Sequence, residues 1–218
     1  MQLTEQMIDK VVADILAKAT SSAASKSDPA LVPVGVSNRH IHLSREDMEM
    51  LFGPGQNLTR MKAMKQPGQY AAEETVTLKG PKGELRRVRV LGPFRKETQI
   101  EISVSDGFAL GIKAPMRMSG DLDESAGLEI VGPLGTVKLE QGVIVAQRHI
   151  HMHPDDAKKA GVCNGEIVSV EAQGPRGGIL KNVAVRVSEA SALEIHIDVE
   201  EANALGLKNN DQVRICKS

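Results

Sequence analysis

The feature that most constrains this chain is that it contains its own outline twice. Residues 39–47 read RHIHLSRED and residues 148–156 read RHIHMHPDD, with His40 and His149 standing 109 positions apart. Further on, ETVTLKGPKG (74–83) resembles EIVSVEAQGPRG (166–177), QIEIS (99–103) matches EIHID (194–198), and ALGIK (109–113) matches ALGLK (204–208). The last two pairs share one offset of 95 residues, so that Glu101 aligns with His196 and Leu110 with Leu205. Four blocks repeated in the same order are hard to obtain by chance, and the chain reads as two copies of one β-rich unit.

The blocks show what that unit is. From Pro33 onward, short alternating runs are punctuated by Gly/Pro turns such as GPKG (80–83) and GPRGG (174–178). Each copy also holds a short capped helix: Ser44 to Asp47 has the form of a capping box, and in the second copy His153 stands before Pro154 at a first helical turn. Helix, glycine turn and alternating strand recur over 155–170 and 200–215. The predicted fold is therefore mainly β: two small β-barrels from an internal duplication, with short capping helices and an N-terminal amphipathic helix. A length of 218 residues suits one large domain or two small ones. Duplicated barrels can exchange strands, and the predicted boundaries are 33–38 plus 147–218 for one barrel and 39–146 for the other.

The N-terminus stands apart. Leu3, Met7, Ile8, Val11, Val12, Ile15 and Leu16 fall on one helical stripe within residues 1–20, and the small polar stretch 21–32 reads as a flexible linker. An amphipathic helix on a tether is expected to dock on a partner. Glu5, Asp9 and Asp14 argue against a mitochondrial transit peptide. With 27 basic and 28 acidic residues, the chain has no general attraction for nucleic acid or an anionic membrane, and no apolar run reaches the length of a spanning helix. Cys163 and Cys216 make no disulfide framework; they read as buried thiols in a reducing compartment.

Four of the six histidines sit in two His-x-His pairs. On a strand, residues i and i+2 share a face, so His40 with His42, and His149 with His151, can each grip one ion while Ile41 and Ile150 enter the core. A lone His-x-His says little; two at matching places in a duplicated unit say much more. Glu101 and His196 supply a third ligand to each pair, giving His40, His42 and Glu101 in one site and His149, His151 and His196 in the other. Three protein ligands leave a position open, the mark of catalytic zinc. His153 continues the alternation, but its repeat partner is the cap Ser44, so it reads as a cap. Arg95 has only Ala190 opposite it in the second copy. A guanidinium that breaks the repeat suits phosphate binding. Arg39 and Arg148 precede both histidine pairs alike and read as structural.

The runs VGVSNRHIHLS, QPGQYAAEETVTL, QRHIHMHP and EIHIDVEEANA resemble the PduL-type phosphate propanoyltransferases of bacterial microcompartments, over essentially everything from Pro33 to the C-terminus. That resemblance implies two zinc ions, coenzyme A as substrate together with phosphate and a short acyl phosphate, and two barrels built from non-contiguous strands. It places His40, His42 and Glu101 at the zinc that meets the coenzyme A sulfur, His149, His151 and His196 at the second metal, and Arg95 at the phosphate. It implies a bacterial cytoplasmic enzyme packaged inside a microcompartment through residues 1–20, with propanediol degradation as the associated pathway and a homo-oligomer compatible with the pattern. Direct transfer in a ternary complex is expected, because no nucleophile–base pair stands out. Two rivals remain at this point: a cupin-like single-metal enzyme, in which Glu46 completes the ligand set of His40 and His42, and a non-enzymatic metal-binding scaffold of a microcompartment.

Overall fold

The computed structural model describes residues 31–216; the predicted N-terminal helix and most of its linker lie outside them. The first strands are β1 (Leu31–Ser37), β2 (His40–His42), β3 (Arg60–Ala63), β4 (Tyr70–Lys79), β5 (Glu84–Gly92) and β6 (Gln99–Glu101). They are followed by β7 (Met116–Arg117), β8 (Ala126–Val131), β9 (Thr136–Ala146) and β10 (His149–Met152). The last are β11 (Ile167–Ala172), β12 (Gly178–Val187), β13 (Glu194–Asp198) and β14 (Gln212–Cys216). Four short helices lie between them: α1 (Arg45–Phe52), α2 (Val104–Leu110), α3 (Pro154–Ala160) and α4 (Val199–Leu205).

These strands close into two six-stranded barrels. One runs β1-β13-β10-β12-β11-β14 and is assembled from both ends of the described chain; we call it the split barrel. The other, the continuous barrel, runs β4-β5-β2-β6-β9-β8 and closes where β8 pairs with β4. The chain changes barrel twice, between Ser37 and His40 and between Ala146 and His149. In each barrel the strand received from before a crossing makes the same contact: β1 lies parallel to β13, and β9 parallel to β6. Both crossings fall just before a His-x-His strand, so β2 and β10 leave neighbouring points on the two barrels.

Alternation sets which side chains go inward. Ile41 and Ile100 are fully buried in the continuous core with Leu78, Val90 and Val143, and Ile150 and Ile195 are fully buried in the split core with Val32, Val183 and Met152. The helices are only seven or eight residues long, too short to persist alone in water, so caps and packing hold them. Ser103 with Asp106 and Asp198 with Glu201 form reciprocal capping boxes on α2 and α4, while His153 accepts from the Asp155 N–H at the start of α3. Glycines in the left-handed region end α2, α3 and α4 at Gly111, Gly161 and Gly206. Ser44 caps α1, but the return arm of its box passes through Thr98: the Ser44 N–H donates to Thr98 Oγ1 at 2.9 Å, and that hydroxyl donates to Asp47.

The arginines that precede the histidine pairs both brace a capping box. Arg39 bridges to Asp106 at 2.8 Å, and Arg148 to Glu201 at 3.0 Å, so each His-x-His strand is tied to the helix that follows its neighbouring strand. Cys163 is exposed and Cys216 half-buried, so neither is the buried thiol expected; Cys163 sits in the turn after α3, where its N–H bonds the Glu166 carboxylate and the side chain is left outside. Asp106→Ala removes a cap and strands Arg39 at once, and should lower the unfolding free energy by about 2 kcal/mol, read from urea denaturation.

Candidate active site

Register brings the six predicted ligating residues into two groups. In the antiparallel pair β2·β6, His40 stands opposite Glu101; in β10·β13, His149 stands opposite His196. His42 and His151 follow two residues on, on the same face. The ligand atoms of His40, His42 and Glu101 lie within 4.8 Å of one another, and so do those of His149, His151 and His196. Both groups open on one cavity of about 650 Å³ between the barrels. Arg95 lines the same cavity. Glu46 does not: it is exposed in the first turn of α1, outside both groups, so the single-metal ligand set with Glu46 is not assembled. His153 also stays outside them, at its helix cap.

Hydrogen bonds orient the rings. His40 Nδ1 is 2.9 Å from the Asn38 carbonyl and His149 Nδ1 is 2.8 Å from the Gln147 carbonyl. A carbonyl only accepts, so both Nδ1 atoms carry hydrogen and both Nε2 atoms keep a lone pair. His149 Nε2 then faces His151 Nε2 at 3.1 Å, a separation that is favourable only across a shared proton or a common cation. Two nitrogens at zinc-ligand distance from one tetrahedral ion stand about 3.3 Å apart. His40 Nε2 similarly lies 3.5 Å from Glu101 Oε2. His42 Nδ1 is buried without a hydrogen bond of good geometry, although the Leu91 carbonyl lies close enough to pull on it electrostatically. Three clustered ligand atoms in each triad, with a buried ring nitrogen of His42 left without a partner, are what a divalent cation would suit, and the residues present fit zinc.

Three residues that sequence reasoning passed over complete the site. Gln99, almost fully buried, donates from Nε2 to Glu101 Oε1 at 2.6 Å and to Ser119 Oγ at 2.9 Å, and its Oε1 accepts from the Gly120 N–H at 2.8 Å. Ser119 Oγ also accepts from Arg95 at 3.0 Å, and the Ser119 hydroxyl helps hold Glu101 ionised. Arg186 enters the cavity from β12, opposite His151 in the parallel pair with β10. Gln99 was legible, two residues before Glu101 on the same strand face. Ser119 and Arg186 lie far away in sequence and carry no motif.

Burial dominates the electrostatics. It pushes His42 down to about 2, helped by the neighbouring His40 and Arg95. It pushes His149 to about 4 and His151 to about 3, with His196 and Arg186 adding to the effect and the Gln147 carbonyl opposing it at His149. These imidazoles are neutral at physiological pH, the form that ligates metal. Burial raises Glu101, but the neighbouring His40, the Arg95 guanidinium and the Ser119 hydroxyl outweigh it and hold the carboxyl below the ordinary carboxylate range. Burial lowers Arg95, Glu101 raises it and the nearby Arg186 lowers it further, leaving two guanidiniums that repel each other across a shared space.

The sequence that builds these two barrels is similar to those of known enzymes. The model of the phosphate propanoyltransferase family matches residues 33–208. The chain is 66% identical over 213 residues to a phosphate propanoyltransferase of Rhodobacter capsulatus, covering 98% of each chain. It is 61% identical over 225 residues to one of Rhodopseudomonas palustris, covering 100% of each, and 55% identical over 191 residues to one of Thermotoga maritima, covering 87% of this chain and 90% of that one. The protein is thus an acyltransferase enzyme. Within that class, it belongs to the phosphate propanoyltransferase family.

The depressed histidines make the metal-free protein acid-sensitive. In the unfolded chain they titrate near pH 6.5 and take up protons that the folded site refuses, so folded-state stability is full above that pH and lost as pH falls below it. In chelating buffer the urea midpoint should fall steadily from about pH 7 to about pH 4.5. A flat midpoint over that interval would contradict the neutral, buried state of His42, His149 and His151.

Proposed function

We propose that the protein interconverts a short-chain acyl-CoA, propanoyl-CoA first, and phosphate with acyl phosphate and coenzyme A, by direct transfer at a site holding two zinc ions. The observation that carries this reading is the single cavity onto which two metal-suited triads and two guanidiniums open together. The names of the relatives, all phosphate propanoyltransferases, support the same substrates.

His40, His42 and Glu101 would hold one ion beside the coenzyme A sulfur, and His149, His151 and His196 the other. Zinc so bound supplies positive charge that favours ionised thiol at neutral pH, where a free thiol is only a few per cent ionised. Arg95 and Arg186 receive phosphate, which relieves their mutual repulsion and lets a planar fork donate two parallel bonds. Ser119 already holds Arg95 in place, so little reorganisation accompanies binding. In the direction of acyl phosphate synthesis, a phosphate oxygen attacks the thioester carbonyl, the carbon–sulfur bond breaks and the thiolate leaves. In reverse, the thiolate attacks the acyl phosphate and phosphate departs to the arginines.

No covalent acyl-enzyme is needed. Ser119 is occupied by Gln99, Arg95 and Glu101 rather than presented to a base, and Cys163 and Cys216 do not line the cavity. Residues 1–20, which precede the family match at residue 33, are proposed as the encapsulation segment that carries the enzyme into a microcompartment of the bacterial cytoplasm. The amphipathic stripe on a polar linker supports this.

Purified protein given propanoyl phosphate and coenzyme A should form thioester, lose the activity on chelation and regain it with zinc. Arg95→Ala should cost about 100-fold or more in turnover, and Arg186→Ala should act mainly by raising the KM for phosphate about tenfold. Labelled propanoyl-CoA without phosphate should leave no label on the denatured protein; retained label would overturn direct transfer. Residues 1–20 fused to a fluorescent protein should co-localise with microcompartments, and diffuse fluorescence would remove the encapsulation role.

A further inference from the structure

Glu194 is a buried carboxylate that the transfer chemistry leaves unused. It is 7% exposed and lies on β13 two residues before His196, on the same face of the strand. Its Oε2 is 2.8 Å from His196 Nε2. It lines the cavity and packs closely on β1 behind it: a Cβ on Gly35 would stand 2.7 Å from the Glu194 carboxyl carbon. On its far side stand two residues of the other barrel, from the turn between β3 and β4. Lys65 Nζ is 3.8 Å from Oε1, and Gln66 Nε2 is 3.4 Å from Oε2. Gln66 is itself 4% exposed, and its amide grips the backbone of the split barrel from both ends: Nε2 donates to the Ala192 carbonyl at 2.9 Å, and Oε1 accepts from the Ala192 N–H at 3.2 Å.

We propose that Glu194 is a positioning residue for the second triad, and that Gln66 sets it from the opposite barrel, so that His196 is oriented through the docking of the two barrels. This rests on the reading of His149, His151 and His196 as a metal site. An ionised carboxylate only accepts, so the Nε2 facing it carries the hydrogen and the lone pair of His196 is on Nδ1. A carboxylate behind a ligating imidazole fixes its ring and tautomer and raises its basicity.

The duplication supplies the independent argument. Glu194 aligns with Gln99 at the same 95-residue offset that aligns His196 with Glu101. Gln99 donates to the Glu101 carboxylate; Glu194 accepts from the His196 imidazole. The position two residues before the third ligand therefore changes polarity together with that ligand. A residue serving only the barrel would have no reason to follow it.

The test uses the full-length protein, loaded with zinc and titrated with a chromophoric chelator, then reloaded with cobalt and read by visible absorption. Wild type should release two equivalents. Glu194→Ala should weaken one of them about ten- to a hundredfold and shift the absorption of one cobalt ion, leaving the other equivalent as in wild type. Glu194→Gln, which keeps an acceptor oxygen, should recover part of the loss; Gln66→Ala should weaken the same equivalent to a smaller degree, and Gln99→Ala should weaken the other. Two equivalents of wild-type affinity and spectrum in Glu194→Ala would overturn the positioning role, and equal weakening of both would mark Glu194 as a general structural group, also against the proposal. A wild type that binds one ion only would overturn the second metal site and this inference with it, an outcome visible before any variant is made. Should Glu194→Ala fail to fold, Glu194→Gln and Gln66→Ala decide the matter on the same two readouts.

Discussion

Everything at the site depends on the register of two short antiparallel pairings, β2 with β6 and β10 with β13. Each sets one isoleucine directly opposite another in a barrel core: Ile41 against Ile100, and Ile150 against Ile195, all fully buried. Because side chains alternate along a strand, burying those four isoleucines turns the flanking His40, His42, Glu101, His149, His151 and His196 the other way. A slip of one residue would drive the imidazoles into the apolar cores and turn the isoleucines toward the polar cavity, at a large cost in apolar burial. Packing of the cores thus orients the polar triads, and Arg39 and Arg148 pin the same strands to helix caps from the side.

The exchange of strands makes two such pairings into one site. Each crossing hands a strand to the other barrel and then begins a His-x-His strand, so the triads are brought to the seam between barrels instead of to opposite ends of a tandem repeat. The seam is electrostatically unfavourable when considered as bare protein. A ring nitrogen of His42 is buried without a partner, and Arg95 and Arg186 repel one another. A folded protein tolerates such an arrangement where a ligand resolves it, and cations at the triads with an anion at the arginines would do so together. The hydrogen bonds of Gln99 and Ser119 hold the acidic triad and Arg95 in a fixed relation. The chemistry therefore has little rearranging to do.

Legibility differed from element to element. The duplicated blocks and their alternation were enough for two mainly β barrels with capped helices, because period-two burial and glycine-ended helices are local properties. Ser44 was readable as a cap for the same reason, but its partner was not: Thr98, far along the chain, relays the bond to Asp47. Cys163 was misjudged because its exposure depends on how the turn after α3 packs, which composition does not encode. Among the site residues, Gln99 and Glu194 were visible as same-face neighbours of Glu101 and His196, whereas Ser119, Arg186 and Gln66 stand outside every motif.

The sequence by itself determined the unit, its repetition, the residue types able to ligate a metal and the strand faces they share, because these follow from spacing along one chain. Tertiary structure alone decided which barrel takes β1 and β9, that both triads open on one cavity, that a second guanidinium joins Arg95 there, and that Gln66 reaches across to Glu194. Those are contacts between residues distant in sequence, and the duplication makes them harder to read. Two like copies offer each strand two equivalent partners, and only the packing of the whole chain chooses between them.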